Sequence, residues 1–288
     1  MKNIKNIAVC LDLTEMDGVL LTYLKRLHDL IPFQNLNLLH LMELEELPDE
    51  ISAIIPKLGN SLDQIIENEL MESAQEHFNE KHGPKISCHI HTNPDVEDFS
   101  DYIDQQDYNV IIYGKKTSYM GSGILSGKLA RLCRCNTLFV PEIGQPVFEN
   151  VTIAIDFSSY TDKIIPIAKK FQETARSTIH PVSILKIGRQ YFPYIKNYQQ
   201  ISKDLEEETL GKYKKLQKKH HFDPQLSIIK DNEQNIGKLI YNFAVHTSSS
   251  LIIVGNKGKN DEGDLLIGSV TEQLISHEKN LPILIVKK

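Results

Sequence analysis

Three glycines and a serine near the end of the chain, Gly255, Gly258, Gly268 and Ser269, have types and spacing suited to holding a phosphate group. Glycine lets a backbone approach a polyphosphate without Cβ collisions, and a helix opened by a glycine–serine pair presents free N–H groups to an anion. The loop follows an apolar, strand-sized run at residues 251–254. Ligands of open parallel sheets bind beyond the carboxyl ends of the strands, so the pattern predicts a nucleotide loop.

The same residues also fit a plain strand-to-helix connection. Ser269 and Glu272 have the S-x-x-E spacing of a capping box, in which two side chains satisfy backbone N–H groups without any ligand. Spacing alone leaves both interpretations open.

No catalytic set accompanies the loop. Rapid ATP hydrolysis requires a positioned water, a base or polarising group and, usually, magnesium held by a carboxylate. Asp261, Glu262 and Asp264 fit solvated loop residues better than such a role. His89 and His91 share one face of a strand by alternation, and we expect an exposed polar face there rather than paired metal ligands. The sequence thus predicts no catalytic residue and no metal site.

The elements that would position the loop occur twice. Each half opens with a β-rich run that ends in an aspartate and a hydroxyl, Asp12 and Thr14 in the first half and Asp156 and Ser158 in the second. Helical and strand patterns then alternate in the same order, which is typical of right-handed β–α–β units. The sequence predicts an α/β fold of two tandem open parallel-sheet, Rossmann-like domains.

The seam between the halves lies in residues 141–150, where two prolines and a glycine disfavour a continuous helix or a central strand. We therefore expect domains at residues 1–143 and 149–288. The longer helices are predicted over residues 63–82, 96–105, 201–221 and 236–246.

The whole C-terminal pattern resembles the ATP-binding signature of the universal stress protein family. The signature consists of G-x-x-G, nine residues and G-S, followed here by Val270, Thr271 and a closing strand at residues 282–286. The stretch around Asp156 also resembles that family's first strand, whose acidic residue lies beside the adenosine. The resemblance covers essentially the whole chain as a tandem pair. It implies an intramolecular pseudo-dimer in which residues 137–140 pair with residues 283–286.

The resemblance also implies a set of site residues and a cofactor, ATP, with or without Mg²⁺. Asp156 is expected near the adenine or ribose, although a turn or helix-cap role for it stays open. Ile187, otherwise a core residue, is expected to line the adenine pocket. The residues expected at the ribose and phosphates are Gly255, Gly258, Gly268, Ser269 and Val270, with added charge from Lys257 and Lys259.

The first half departs from this pattern. Gly114 and Gly127 keep the spacing, but Thr117 replaces the second glycine and Lys128 replaces the serine. A β-branched side chain there would obstruct phosphate, so we expect a weakened or lost site. The stretch from Gly121 to Lys128 is not a P-loop, because five residues rather than four lie between Gly121 and Gly127. It is not a well-placed dinucleotide fingerprint either. Anion binding by Lys128 at a helix N-terminus stays open.

Composition limits the remaining possibilities. A formal net charge of −6 over 288 residues argues against the nucleic-acid backbone as the main partner. No apolar run approaches the roughly 20 residues of a membrane span, and Asp12 interrupts the only run that resembles a secretory signal. The four cysteines lack C-x-x-C spacing and fit half-buried thiols. We expect a cytoplasmic protein without a membrane or nucleic-acid partner.

These features predict a regulatory protein whose C-terminal domain binds ATP and which is not an enzyme. Two alternatives stay open. One is a slow ATPase or self-phosphorylating protein that uses the hydroxyls of Ser269 and Thr271. The other is a nucleotide-free interaction module. The sequence names no protein partner, and a homodimer of the tandem chain stays open.

Overall fold

The computed structural model describes residues 4–42, 61–78, 82–116, 123–186, 198–231, 235–258, 267–277 and 280–287. The chain forms two compact units, residues 2–146 and residues 147–288. In the described residues each unit is an α/β domain built on a sheet of five parallel strands.

The N-terminal domain has its first strand in the interior of its sheet, in the order β3-β2-β1-β4-β5. Its elements are β1 (Asn6–Cys10), α1 (Glu15–Leu30), β2 (Asn35–Leu41), α2 (Leu62–His77), β3 (Lys85–His91), α3 (Val96–Gln105), β4 (Val110–Lys115), α4 (Gly123–Leu132) and β5 (Asn136–Pro141). The chain moves from β1 to one side of the sheet and then returns to the other side at β4. The crevice between β1 and β4 is therefore a topological switch point, where such sheets bind ligands.

The C-terminal domain repeats this arrangement, in the order β10-β9-β6-β7-β8. Its elements are β6 (Asn150–Ala154), α5 (Thr161–Ala175), β7 (Thr178–Lys186), α6 (Tyr198–His220), β8 (Ser227–Asp231), α7 (Ile236–His246), β9 (Leu251–Gly255), α8 (Ser269–His277) and β10 (Ile283–Val286). Its switch point lies between β6 and β9, which pair directly through Val151 and Leu251.

The central strands of both domains are covered on both faces. Ile7 and Val9 of β1, and Ile252 and Ile253 of β9, have no exposed surface. Parallel strands buried in this way form near-continuous apolar runs, as the sequence shows. The predicted α/β parallel-sheet fold is confirmed.

Helix boundaries follow local signals where those are strong. Helices α3 and α7 cover residues 96–105 and 236–246 as predicted. Asp95 and Asn235 cap their first turns, each accepting from backbone N–H groups. The helix predicted over residues 63–82 ends at His77, because Phe78 turns to extended backbone with φ −118° and ψ 123°. In the described residues no helix is long and apolar enough to span a bilayer.

The expectation of an exposed polar face at His89 and His91 is wrong. Both rings pack against α3, where His89 stacks on Tyr102 at a centroid distance of 3.9 Å and His91 lies 4.9 Å from Phe99. Burial lowers the pKa of His89, with a smaller contribution from His91. The described residues hold no group of three or more histidine, cysteine, aspartate or glutamate side chains placed to bind a metal ion.

Candidate functional site

A cavity of about 400 Å³ opens at the switch point of the C-terminal domain. It lies beyond the carboxyl ends of β6 and β9 and extends to the start of α8. Six of the seven residues predicted for the site line it together: Asp156, Gly255, Gly258, Gly268, Ser269 and Val270. The seventh, Ile187, falls outside the described residues, and the preceding Lys186 lines the cavity.

Asp156 lies in a tight turn between β6 and α5. Its Oδ1 accepts hydrogen bonds from the Ser158 N–H at 2.9 Å and the Thr161 hydroxyl at 3.1 Å. The next residue, Phe157, has a left-handed φ of 62°, and its N–H donates to Thr161 Oγ1. Asp156 therefore has the turn role that the sequence left open, and it also lines the cavity. Thr161, fully buried, holds the carboxylate in place.

Gly255 has a structural reason to be glycine. A Cβ at this position would lie 2.6 Å from Cβ of Tyr160, at the start of α5. The Gly255 carbonyl accepts a 2.8 Å hydrogen bond from the hydroxyl of Thr271, which is buried. Close packing with Tyr160 thus explains this glycine without a ligand, and Thr271 ties β9 to the first turn of α8.

The first turn of α8 faces the cavity. The Glu272 N–H donates to the Gly268 carbonyl at 2.9 Å, which makes Gly268 the N-cap and Ser269 the first helical residue. The Gly268 N–H is itself bound to the Asn256 carbonyl at 2.8 Å. Ser269 therefore stands one position further into the helix than the N-cap of a capping box, and its side chain is exposed at the cavity.

Three other elements complete the cavity, and sequence reasoning did not find them. The end of β7, one face of α6 and the start of α7 contribute residues 182–186, Leu205, Glu208, Thr209, Lys212, Ile236 and Ile240. Residues 205, 208, 209 and 212 have the spacing of one face of a helix, and this spacing is the sequence signal that could have indicated them. Thr161 could also have been recognised from the sequence, because its separation from Asp156 along the chain equals that of Asp17 from Asp12.

The described lining of this cavity has more cationic than anionic side chains. Lys186, Lys212 and Lys257 are set against Asp156 and Glu208. Together with the positive end of the α8 dipole, this charge favours an anion near the helix start.

A second cavity, of about 340 Å³, lies at the matching place in the N-terminal domain. Its turn has the same form, since Leu13 after Asp12 has a φ of 59°. Asp12 is engaged differently, however. Its Oδ2 lies 2.6 Å from Lys116 Nζ, and its Oδ1 accepts from the Thr14 hydroxyl at 2.6 Å. Lys116 thus bridges the cavity from β4 to the turn.

Asp17 takes the place that Thr161 has in the sister domain. It is 7% exposed, and its two oxygens accept hydrogen bonds from the N–H groups of Asp12 and Leu13. Burial raises the pKa of the Asp17 carboxyl to about 6, although the two backbone hydrogen bonds favour the ionised form. This domain therefore has a buried acid where the other has a hydroxyl.

The glycine loop of the N-terminal domain has changed too. Met16 packs against Gly114, with its Cγ 2.6 Å from where a Cβ would stand. Helix α4 already begins at Gly123, so Lys128 lies inside it, with Nζ 3.9 Å from Glu97 Oε1. The alternative that placed Lys128 at a helix N-terminus is wrong. Thr117 falls outside the described residues.

Fold and cavity together define an α/β protein of the Rossmann-like class, with a ligand cleft at the carboxyl edge of its sheet. The sequence model of the universal stress protein family matches residues 148–287. The C-terminal domain therefore belongs to this family.

Solved structures share the fold along the whole chain. A universal stress protein from Archaeoglobus fulgidus DSM 4304 is 14% identical, with a TM-score of 0.62, and the match covers 99% of this chain and 97% of that chain. A protein of unknown function from Pseudomonas aeruginosa PAO1 is 17% identical, with a TM-score of 0.67, over 98% of this chain and 92% of that chain. A putative universal stress protein from Pseudomonas aeruginosa UCBPP-PA14 is 17% identical, with a TM-score of 0.66, over 98% and 93%. No curated protein matches the sequence significantly.

Proposed function

We propose that the C-terminal domain binds ATP as a regulatory ligand and does not hydrolyse it rapidly. The observation that carries the proposal is the single cavity that joins Asp156, the end of β9 and the first turn of α8. Its volume of about 400 Å³ lies in the range of small-ligand sites, which is roughly 300–1,000 Å³.

The start of α8 is suited to the phosphates. The N–H groups of Ser269, Val270 and Thr271 have no carbonyl acceptor within their own helix, because they belong to its first turn. Lys257 lines the same end of the cavity, next to Gly258. Backbone donors, a helix dipole and a lysine together are the usual means of holding a polyphosphate.

The apolar part of the cavity lining is suited to a nucleobase. Val182, Leu205, Ile236 and Ile240 provide apolar surface from three elements for a flat ring. Asp156 supplies a carboxylate that accepts hydrogen bonds from hydroxyl or amino groups. A nucleotide therefore matches both the apolar and the anion-binding part of the site.

Hydroxyl and carboxylate groups of this cavity are held in hydrogen bonds or ion pairs, which favours binding over catalysis. The Thr271 hydroxyl is committed to the Gly255 carbonyl, and Asp156 Oδ1 to the turn. Glu208 forms an ion pair with Lys212 on α6. The described lining contains no histidine to serve as a base. Occupancy would then act through mass action, stabilising whichever arrangement of the protein binds ATP best.

The direct experiment combines identification of the bound ligand with a charge substitution at Ser269. Protein purified without added nucleotide is denatured, and the released small molecules are identified. Ser269→Glu should leave the protein folded, since an acidic residue in a first helical turn stabilises it by about 0.3–1 kcal/mol. The same substitution should abolish ATP binding by repulsion, whereas Ser269→Ala should weaken it only slightly. Calorimetry with ATP gives both affinities.

The absence of adenine nucleotide, together with no heat of ATP binding by the unmodified protein, would contradict the proposal and favour a nucleotide-free interaction module. Slow self-phosphorylation is a second candidate, because the exposed Ser269 side chain lines the cavity. Phosphate incorporation that is unchanged in Ser269→Ala would rule out this serine as the acceptor.

A further inference from the structure

The charges of this chain are divided unevenly between its two units. Residues 2–146 contain 12 lysines and arginines against 22 aspartates and glutamates, whereas residues 147–288 contain 20 against 16. The formal net charge of −6 is therefore the balance of an N-terminal domain at −10 and a C-terminal domain at +4. Surfaces of opposite charge on two copies of such a chain attract each other at short range.

Helix α2 presents part of the negative charge of the N-terminal domain. It buries Ile66, Leu70 and Ala74 and contains no lysine or arginine. All of its acids are exposed: Asp63, Glu67, Glu69, Glu72 and Glu76. Glu76 lies in the last turn, where the helix dipole disfavours an acid, and Glu72 repels it from four residues earlier. The intrinsic preferences of a helix therefore do not explain this acidic end.

Helix α6 is the equivalent helix of the C-terminal domain, since each of the two connects the second strand of its domain with the third. Its second half has the opposite charge. Residues 211–220 include no acid and five exposed lysines, Lys212, Lys214, Lys215, Lys218 and Lys219. The buried side of this stretch is formed by Tyr213. The duplicated helices thus differ in the sign of their exposed charge.

Three of these lysines are available to a partner. The other two are paired within the domain, with Glu208 and Asp162. Lys214, Lys215 and Lys218 form no ion pair with any described residue. Lys214 and Lys218 are four residues apart and repel each other, and the helix dipole favours lysine only in the last turn. A partner of opposite charge would relieve this repulsion.

The exposed charges of the two helices match in spacing. Glu72 and Glu76 on α2 are separated by four residues, as are Lys214 and Lys218 on α6, which corresponds to about 6 Å along each axis. Two helices placed side by side can therefore bring each acid against a lysine. Leu210 lies one turn before Lys214 and is 37% exposed, so it adds apolar surface next to the charges.

We propose that a second copy of the chain is the partner of this surface. The lysine face of α6 (Lys214, Lys215 and Lys218) docks on the acidic face of α2 (Glu72 and Glu76) in the other copy. Each copy has both faces, so the association continues beyond two copies unless they close into a ring. Neither face lines the C-terminal cavity, and the inference does not rest on ATP binding.

Sedimentation of the whole chain at two salt concentrations tests the proposal. Exposed ion pairs contribute little individually and are screened by salt, so the association should be weak and sensitive to ionic strength. The weight-average mass in about 0.01 M salt should be at least about 1.5 times that in about 1 M salt, because the screening length falls from about 30 Å to about 3 Å. An oligomer held by apolar contacts persists at both concentrations.

Charge reversal on either face should abolish the salt-dependent increase in mass. The two variants are Lys214→Glu with Lys218→Glu, and Glu72→Lys with Glu76→Lys. An equal mixture of them should restore the increase, because each reversed face meets an opposite charge on the other variant. Both variants keep a negative net charge, so bulk attraction does not explain such a recovery. Recovery also shows that both variants are folded.

The matched control is Lys203→Glu with Lys238→Glu, which makes the same change of charge at exposed lysines elsewhere in the C-terminal domain. It should keep the salt-dependent increase. The same mass at both salt concentrations would overturn the proposal, as would an equal loss in the control or a mixture that does not associate. Binding to vesicles of anionic phospholipid without salt-dependent self-association, if lost in the variant at Lys214 and Lys218, would assign the lysine face to a membrane and also overturn it.

Discussion

At the scale of single residues, Tyr160 and Met16 occupy equivalent places, each packed against a glycine near the carboxyl end of a central strand, Gly255 of β9 and Gly114 of β4. The contact on Gly255 comes from Cβ of Tyr160, an atom fixed by the backbone at the start of α5. The contact on Gly114 comes from Cγ of Met16, part of an unbranched and flexible side chain. The equivalent glycines Gly255 and Gly114 therefore pack against neighbours of different rigidity.

We expect Gly255→Ala to destabilise its domain more than Gly114→Ala does. The first substitution forces a backbone shift, and overpacking of this kind costs about 1–3 kcal/mol. The second is relieved by a rotamer change of Met16 and should cost less than about 1 kcal/mol. Urea unfolding followed by circular dichroism measures both losses. Tyr160→Gly should rescue Gly255→Ala, and equal losses in the two single variants would contradict the argument.

At the scale of elements, the two cavities differ in where the last helix of the domain begins. Helix α8 begins at Ser269, held by the hydrogen bond from Gly268 to Asn256. Its position also depends on α7, because a Cβ on Gly237 would lie 2.7 Å from Cβ of Gln273, and the Gly237 N–H donates to Gln273 Oε1 at 3.0 Å. Packing between these helices thus sets the position of the phosphate-facing turn.

A pair of glycine substitutions tests this dependence. Gly237→Ala should push α7 and α8 apart, destabilise the domain by about 1–3 kcal/mol and weaken ATP binding. Gly211→Ala, in the middle of α6 on another side of the same cavity, meets no atom within 4 Å. It should stabilise the domain by about 0.5–1 kcal/mol through helix propensity and leave the affinity for ATP unchanged. Thermal unfolding and calorimetry report both effects; equal ATP affinities in the two variants would count against the role of α7.

At the scale of the whole molecule, the duplicated domains should respond differently to ATP. A ligand stabilises the unit that binds it by about 2.7 kcal/mol at a hundredfold excess over its Kd. We expect amide hydrogen exchange to slow in peptides that contain Asp156 and in those from residues 267–277. Peptides from residues 7–17 and 110–116 should exchange as before. Ser269→Glu should remove the protection, and equal protection in both domains would contradict the assigned asymmetry.

Much of the fold could be predicted because its signals are local. Alternating strand and helix periods specified the parallel sheets, and the caps at Asp95 and Asn235 fixed two helices to the residue. Glycine spacing placed six site residues, since a loop after a buried strand can emerge only at the carboxyl edge. The acid–lysine bridge between Asp12 and Lys116 could not be predicted, because it joins residues 104 positions apart.

The sequence by itself determined the duplication, the fold class and the loop that begins at Gly255, because periodicity and residue type act over a few neighbouring positions. Only the tertiary structure decided what those residues touch. It placed Tyr160 on Gly255, Asp17 beneath the N-terminal turn and Leu125 of α4 at the second cavity. These contacts depend on how separate elements pack, and packing brings together residues that no local pattern relates.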